Sequence, residues 1–242
     1  MEIKAVLFDW DLTMARVLGD ISTEARLQAL FEWAGMVYSV DEVETAVSTA
    51  RQAMHLNGYV PQTQRDIAKY YQHVLRNLGE NDVSWAIANY LYDAYSYMPS
   101  VLYDDTLPVL RYLDQAGIKS GIISNHSRLI RPVIKEAIGD LIYSEHILIS
   151  QEVGIYKPTP SIFLQAAEAL KLPPEACLFI GDNLEGDAIG AVEKGEFQTG
   201  LWLDRGGVGE TAVSPLPQIS RNLFSRIIIS FARQANNRSE AS

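Results

Sequence analysis

Four short stretches carry the side chains best suited to chemistry. Asp9-Trp10-Asp11-Leu12-Thr13 follows a short apolar run, and Ser124-Asn125 closes another. Lys157-Pro158 lies in a loop, and Gly181-Asp182-Asn183-Leu184-Glu185-Gly186-Asp187 follows a third apolar run. Residues two apart in an extended segment point to the same side, so Asp9 and Asp11 converge if strand geometry persists. A carboxylate so placed can attack phosphorus and form an aspartyl-phosphate. A second carboxyl beside it, its proton held by the like charge, can protonate the leaving oxygen and later deprotonate water. Ser124 offers a hydroxyl, and the amides of a following helix start can face an anion. Lys157 is a point charge for phosphate. Asp182 and Asp187 can give oxygen ligands to Mg²⁺, which takes a few carboxylates and several waters.

Each stretch alone also has a plainer reading. Asp-x-Asp can be a solvated turn, Ser124 a helix N-cap, Lys157 a solvated loop residue, and Asp182 and Asp187 caps of the helix at Glu185. Electrostatics favours the joint reading. Carboxylates gathered at one crevice repel each other and any phosphate unless cations or a proton compensate them. Lys157, Mg²⁺ and a protonated Asp11 do so together, and only this arrangement accounts for all four stretches.

Elements must bring these residues to one place. Ile3 to Phe8 is apolar and β-branched, which predicts a buried strand. Ala25 to Trp33, Val43 to Met54, Ile67 to Leu78 and Val83 to Tyr97 repeat apolar residues at helical spacing, with turn signals such as Asn57-Gly58 between them. No strand is expected there, and the four helices form a small helical unit. From Thr106 the pattern alternates: a helix to Gln115 closed by Gly117, a strand at Ile118 to Ile123, and a helix at Pro132 to Ile138. A strand at His146 to Ile149 follows, then a helix capped by Thr159-Pro160 over Ile162 to Leu170. A strand at Cys177 to Ile180, a helix from Glu185 to Lys194 and a strand at Thr199 to Leu203 complete the series. The alternation predicts an α/β fold, a three-layer Rossmann-like parallel sheet with helices on both faces. The expected division is an α/β catalytic core over 1–14 and 99–232, a helical-bundle cap over 15–98, and a polar tail over 233–242. An insert after the first strand belongs above the C-terminal strand ends, where open α/β sheets bind ligands, and is a candidate lid.

Bulk properties set the class. The 242 residues are 48% hydrophobic and 21% charged, ordinary globular composition with material for a sizeable core. A formal net charge of -10 argues against a nucleic acid polymer or an anionic membrane surface as partner. The single cysteine, Cys177, allows no internal disulfide, and no apolar stretch is long enough to cross a bilayer. With no secretory signal pattern, a cytoplasmic protein is expected, monomer or homodimer.

Asp9-Trp10-Asp11-Leu12-Thr13, Ser124, Lys157 and Gly181-Asp182 to Asp187 resemble the four ordered motifs of the haloacid dehalogenase-like hydrolase superfamily. The helical insert is similar to that superfamily's cap. The resemblance implies Asp9 as nucleophile, Asp11 as general acid–base, and Ser124, with Asn125 beside it, as phosphate-binding. It implies that Lys157 steadies the nucleophile and the developing charge. Mg²⁺ is then held by the Asp9 carboxylate, the Asp11 backbone carbonyl and the Asp182 carboxylate, with Thr13 and Asp187 in support. Many members have glycine where this chain has Leu12 and asparagine where it has Gly186. The superfamily's dehalogenases lack the second acid of the first motif and work without metal, so Asp11 speaks for phosphate chemistry. The expected activity is Mg²⁺-dependent hydrolysis of a small phosphorylated metabolite. Phosphoglycolate, sugar phosphates and nucleoside monophosphates are all open as substrates. A phosphomutase using the same site, or a receiver-like phospho-aspartate domain, are the alternatives.

Other features point nowhere specific. Tyr90, Tyr92, Tyr95 and Tyr97 with Trp85 read as a helix packing an aromatic face. Arg205-Gly206-Gly207-Val208-Gly209 matches no phosphate-binding fingerprint and reads as a turn. His55, His73, His126 and His146 lack metal-ligand spacing; His126 alone lies beside a motif, where it could touch substrate, but reads first as a solvated loop residue.

Overall fold

The structure, a computed structural model, describes residues 2–19, 22–56, 61–205 and 218–219, the last two by backbone alone. The strands in chain order are β1 (Ala5–Phe8), β2 (Ala15–Val17), β3 (Ser100–Leu102), β4 (Lys119–Ser124), β5 (Ile147–Ile149), β6 (Cys177–Gly181), β7 (Thr199–Leu203) and β8 (Gln218–Ile219). The α-helices are α1 (Thr23–Trp33), α2 (Val40–Ala53), α3 (Gln64–Asn77), α4 (Trp85–Ala94), α5 (Thr106–Gln115), α6 (Ile130–Ile138), α7 (Ser150–Val153), α8 (Pro160–Ala169) and α9 (Gly190–Glu193). Contacts divide the chain into two units: Met1–Arg16, Leu102–Ser124 and Ile134–Ser242 form one, Val17–Val101 and Asn125–Val133 the other.

The first unit is built on a six-stranded parallel sheet in the order β5-β4-β1-β6-β7-β8. All of β1 and β6 is buried, which is why these strands read as unbroken apolar runs rather than alternating ones. The sheet and α8 share a core in which Phe163 meets Phe179 edge to face, ring centroids 5.7 Å apart. The parallel α/β expectation therefore holds.

The second unit contains α1 to α4. Each helix begins on a hydroxyl: Ser22, Ser39, Thr63 and Ser84 accept hydrogen bonds from the amides of Ala25, Glu42, Asp66 and Ile87. Their apolar stripes, such as Val43, Ala46, Val47 and Ala50 on α2, close on one core.

Several expectations change. The division by contacts differs from a cap over 15–98, because Asn125–Val133 belongs with the helices. Asn125 Nδ2 donates to Gln62 Oε1 at 2.7 Å, Ser127 Oγ donates to Asp93, and the Ser96 hydroxyl lies 3.3 Å from His126 Nδ1. His126 is thus buried, not solvated. The helix expected over Val83 to Tyr97 ends at Ala94 and tightens into a 3₁₀ turn at Tyr95–Tyr97. Its tyrosines do not form one face: Tyr92 is buried, while Trp85, Tyr90 and Tyr97 are exposed. Residues two apart lie about 200° apart around a helix. The helix expected from Glu185 to Lys194 is a π-helix over Leu184–Ile189 continued by α9. Thr159 holds the N-cap position of α8 with Pro160 following, but its side chain makes no cap bond. The short strands β2 and β3, which pair with each other, and the single-turn α7 are additions. The Asn57-Gly58 turn, residues 206–209 of the glycine-rich segment and the 233–242 tail lie outside the described residues.

Candidate active site

The sheet register fixes where the motif residues stand. Phe8 pairs with Ile122 of β4 and Ile180 of β6. Asp9 is therefore level with Ile123 and Gly181, and Ser124 and Asp182 lie one step further on the flanking strands. Adjacent strands are about 4.8 Å apart, so three motifs converge on the end of β1. Asp9 N donates to Ile180 O at 2.8 Å, which anchors its backbone.

Lys157 joins the acids. Its Nζ lies 2.7 Å from Asp9 Oδ1 and 2.7 Å from Asp187 Oδ1, and all three residues are buried. The Phe179 ring lies under the ammonium, 5.1 Å to its centroid. Asp187 reaches the site because β6 ends on Gly181: a Cβ there would sit 2.1 Å from Asp187 Oδ2. That Oδ2 accepts from Asn183 N at 3.1 Å, and the Asn183 side chain caps the π-helix by accepting from Gly186 N at 2.8 Å. A Cβ on Gly186 would come within 3.1 Å of the Asn183 side chain, so the glycine leaves that cap room. One Asp187 oxygen thus pairs with Lys157 and the other accepts at the start of the π-helix, the capping role expected for it.

Carboxylate oxygens of Asp9, Asp182 and Asp187 lie within 4.8 Å of one another. Burial pushes Asp9 above the ordinary carboxylate range, the Lys157 charge and hydrogen bond oppose it, and the Asp11 charge adds to the rise. Burial likewise pushes Asp187 up, to about 6, against the pull of Lys157. Burial alone would lower Lys157, but Asp187 and Asp9 together outweigh it and hold the ammonium protonated. Three carboxylates gathered around one ammonium make an all-oxygen donor set. Such a set fits a hard divalent cation such as Mg²⁺. Asp9 and Asp182 could hold such an ion, while both Asp187 oxygens already have protein partners.

The remaining expected residues are placed differently. Asp11 is half-buried in the turn after β1, where it bridges to Ala15, and its carboxylate is outside the three-acid cluster. Leu12 adopts φ 56°, the left-handed region, so this turn demands the conformation that glycine adopts most readily. Thr13 is fully buried, with no hydrogen-bond partner for its hydroxyl among the described residues. Ser124 is buried at the end of β4 and is no N-cap, because α6 starts only at Ile130. Asn125 turns to Gln62 in the helical unit. Cys177 is no nucleophile: burial pushes its thiol up to about 12. Arg205, read only as part of a turn, donates from Nη2 to Thr13 O at 2.7 Å. A buried partner 192 residues away leaves no local sequence signal.

A parallel sheet whose central strand ends on a lysine-bridged acid cluster defines an aspartate-based α/β enzyme. The family profile of the haloacid dehalogenase-like hydrolases matches residues 3–194, and the chain belongs to that family. It is similar to a glyceraldehyde 3-phosphate phosphatase of Methanopyrus kandleri, 29% identical over 205 residues, spanning 80% of this chain and 81% of that protein. Among solved structures it resembles the magnesium-bound HAD-hydrolase YfnB of Bacillus subtilis, TM-score 0.70 at 19% identity, covering 95% of this chain and 99% of that one. A 2-haloacid dehalogenase from Pseudomonas syringae pv. Tomato also aligns, TM-score 0.61 at 21% identity over 96% and 99% of the two chains. The fold is therefore shared with both phosphate and halide chemistry, and the site has to distinguish them. Among the described residues no helix is long and apolar enough to cross a membrane.

Proposed function

We propose that this hydrolase cleaves a small phosphate monoester through an aspartyl-phosphate on Asp9, with Mg²⁺ as cofactor. The observation that carries the reading is the buried Asp9–Lys157–Asp187 bridge beside Asp182. A metal-free displacement at carbon has no use for two further acids beside the nucleophile, one buried and one half-buried, whereas a phosphoryl group needs its charge offset. Mg²⁺, when bound, would neutralise the acids and polarise the phosphoryl oxygens.

The chain's own groups then have distinct tasks. Lys157 opposes the rise that burial imposes on Asp9 and so favours the ionised carboxylate, the form that acts as nucleophile. Ser124, one step beyond Asp9 on the neighbouring strand, is assigned to the phosphoryl oxygens. Asp11, nearer to solvent than Asp9, is assigned to protonating the leaving alcohol and then deprotonating water. Asp187 holds Lys157 from the other side. The relative from Methanopyrus kandleri makes short sugar phosphates, glyceraldehyde 3-phosphate first, the class to assay.

The test is release of inorganic phosphate from a panel of monoesters with Mg²⁺ and with EDTA, for wild type and Asp9→Asn. Wild type should turn over only with the metal, and the variant should lose at least about 10³-fold in kcat while staying folded. Near-normal activity in Asp9→Asn, or an isomeric sugar phosphate in place of inorganic phosphate, would overturn the reading.

A further inference from the structure

Arg205 lies two residues beyond β7 and outside the 3–194 stretch that defines the family. Its guanidinium forms a two-pronged bond with Asp105, at 2.9 Å from Nη1 and 2.8 Å from Nη2, and its carbon lies 4.0 Å from the centroid of the Tyr103 ring. The same Nη2 donates to the Thr13 carbonyl at 2.7 Å. Both partners of the ion pair are largely buried, with side-chain exposures of 7% and 13%.

What the guanidinium grips is the turn that presents Asp11. That turn is closed on itself by bonds from Met14 N and Ala15 N to Trp10 O, at 2.9 and 3.0 Å, and from Leu12 N to Ala15 O at 2.7 Å. Its bonds to the α5 side of the unit run through carbonyls. Met14 O accepts from Tyr103 N and the Thr106 hydroxyl, and Thr13 O accepts from Arg205. With Leu12 in a left-handed conformation, the turn has a less strained alternative to relax into if a brace is lost.

We propose that Arg205 is a positioning residue that clamps the Asp9–Met14 turn and so aims Asp11 at the leaving-group oxygen. This rests on the phosphatase reading for the role of Asp11, while the clamp itself is a property of the turn. A planar fork is required, because one donor group must serve Asp105 and the Thr13 carbonyl together, and a lysine ammonium cannot reproduce that geometry.

The experiment compares wild type, Arg205→Lys and the double variant Arg205→Met/Asp105→Leu. The double variant replaces a buried ion pair by apolar groups, which proteins commonly tolerate, so folding is retained while the Thr13 carbonyl loses its donor. Two readouts are taken: kcat/KM for an alkyl phosphate and for p-nitrophenyl phosphate, and hydrogen exchange of the amides of residues 10–15. An alkoxide leaving group needs protonation and a nitrophenolate does not. A displaced Asp11 therefore lowers kcat/KM for the alkyl ester by about 100-fold and for the aryl ester by less than about 10-fold. Arg205→Lys should fall between, and exchange in the turn should accelerate in the double variant. Equal losses on both esters, no loss on either, or unchanged exchange would each overturn the proposal. If wild type hydrolyses neither ester with Mg²⁺, the phosphatase reading fails on its own, and exchange alone decides the clamp.

Discussion

The two units bury polar groups in opposite ways. Among the described residues, the buried carboxylates and the buried lysine, Asp9, Asp187 and Lys157, all lie in the α/β unit. The helical unit buries uncharged or local partners: Gln72 Nε2 donates to Val83 O at 2.8 Å, and Ser96 meets His126. The difference follows from architecture. A helix satisfies its own backbone and needs help only at its ends, which Ser22, Ser39, Thr63 and Ser84 supply within three residues. A parallel sheet ends all its strands on one edge and brings together side chains distant in sequence. Lys157 and Asp9 are 148 residues apart and share one hydrogen bond. Charge can be concentrated there because each group has a partner of opposite sign.

The sharpest way to break this contrast is to remove the shared cation. Lys157→Met leaves Asp9 and Asp187 facing each other without compensation, and should destabilise the metal-free protein by about 3–5 kcal/mol. Mg²⁺ should recover part of that loss, because a ligand that binds only the folded state stabilises it. Chemical denaturation with and without Mg²⁺ measures both. A variant as stable as wild type in EDTA would mean that the acids do not depend on Lys157.

The next effect is a pH dependence. Asp9 and Asp187 are both raised by burial, Asp187 to about 6. Between about pH 4 and pH 6 the unfolded chain has already lost the Asp187 proton while the folded protein keeps it. More protons are then bound to the folded state, so this residue's contribution falls as pH rises through that window. Lys157 is raised and keeps its proton throughout, so it adds no slope there. In EDTA, the stability difference between wild type and Asp187→Asn should therefore shift against wild type from pH 4 to pH 6, by roughly 2–3 kcal/mol. Added Mg²⁺ should flatten the difference. An invariant difference across that range would show that Asp187 titrates as an ordinary carboxylate.

These charges were partly legible in the sequence, for reasons that differ by element. β1, β4 and β6 were readable because a strand buried on both faces carries an apolar run, and a polar motif residue ends or follows each: Asp9, Ser124 and Asp182. The helices of the inserted unit were readable from apolar spacing alone. β2 and β3 were not, since three residues carry no period and β3 is mostly exposed. The π-helix at Leu184–Ile189 was read as an α-helix, because the two differ by one residue in hydrogen-bond spacing and share an apolar face. In the site, Asp9, Lys157 and Asp182 stood out as polar residues beside strand or loop signals. The double engagement of Asp187 depends on Gly181 having no side chain, a contact visible only in three dimensions. Asn125 was expected with Ser124 from adjacency alone, and its bond to Gln62, 63 residues away, had no sequence signal. Arg205 had no signal at all, its partners lying 100 and 192 residues away.

The smallest expected effect probes the other side of the contrast. Ser39 and Glu42 form a reciprocal cap on α2: Glu42 N donates to Ser39 Oγ at 3.3 Å, and Ser39 N donates to Glu42 Oε2 at 2.8 Å. These bonds are exposed and local, so no other charge depends on them. Ser39→Ala should cost about 1 kcal/mol, which for a chain of this size lowers the melting temperature by about 2–4 °C. The kcat on a generic phosphate ester should stay within about twofold of wild type, since the cap touches no acid of the α/β unit. A loss of kcat approaching that of a site variant would dissolve the contrast, because local capping in the helices would then be setting the geometry of the charged edge. A small stability loss at constant kcat would sharpen it: the helices would hold themselves by short-range bonds, and the reacting groups would be held by the sheet.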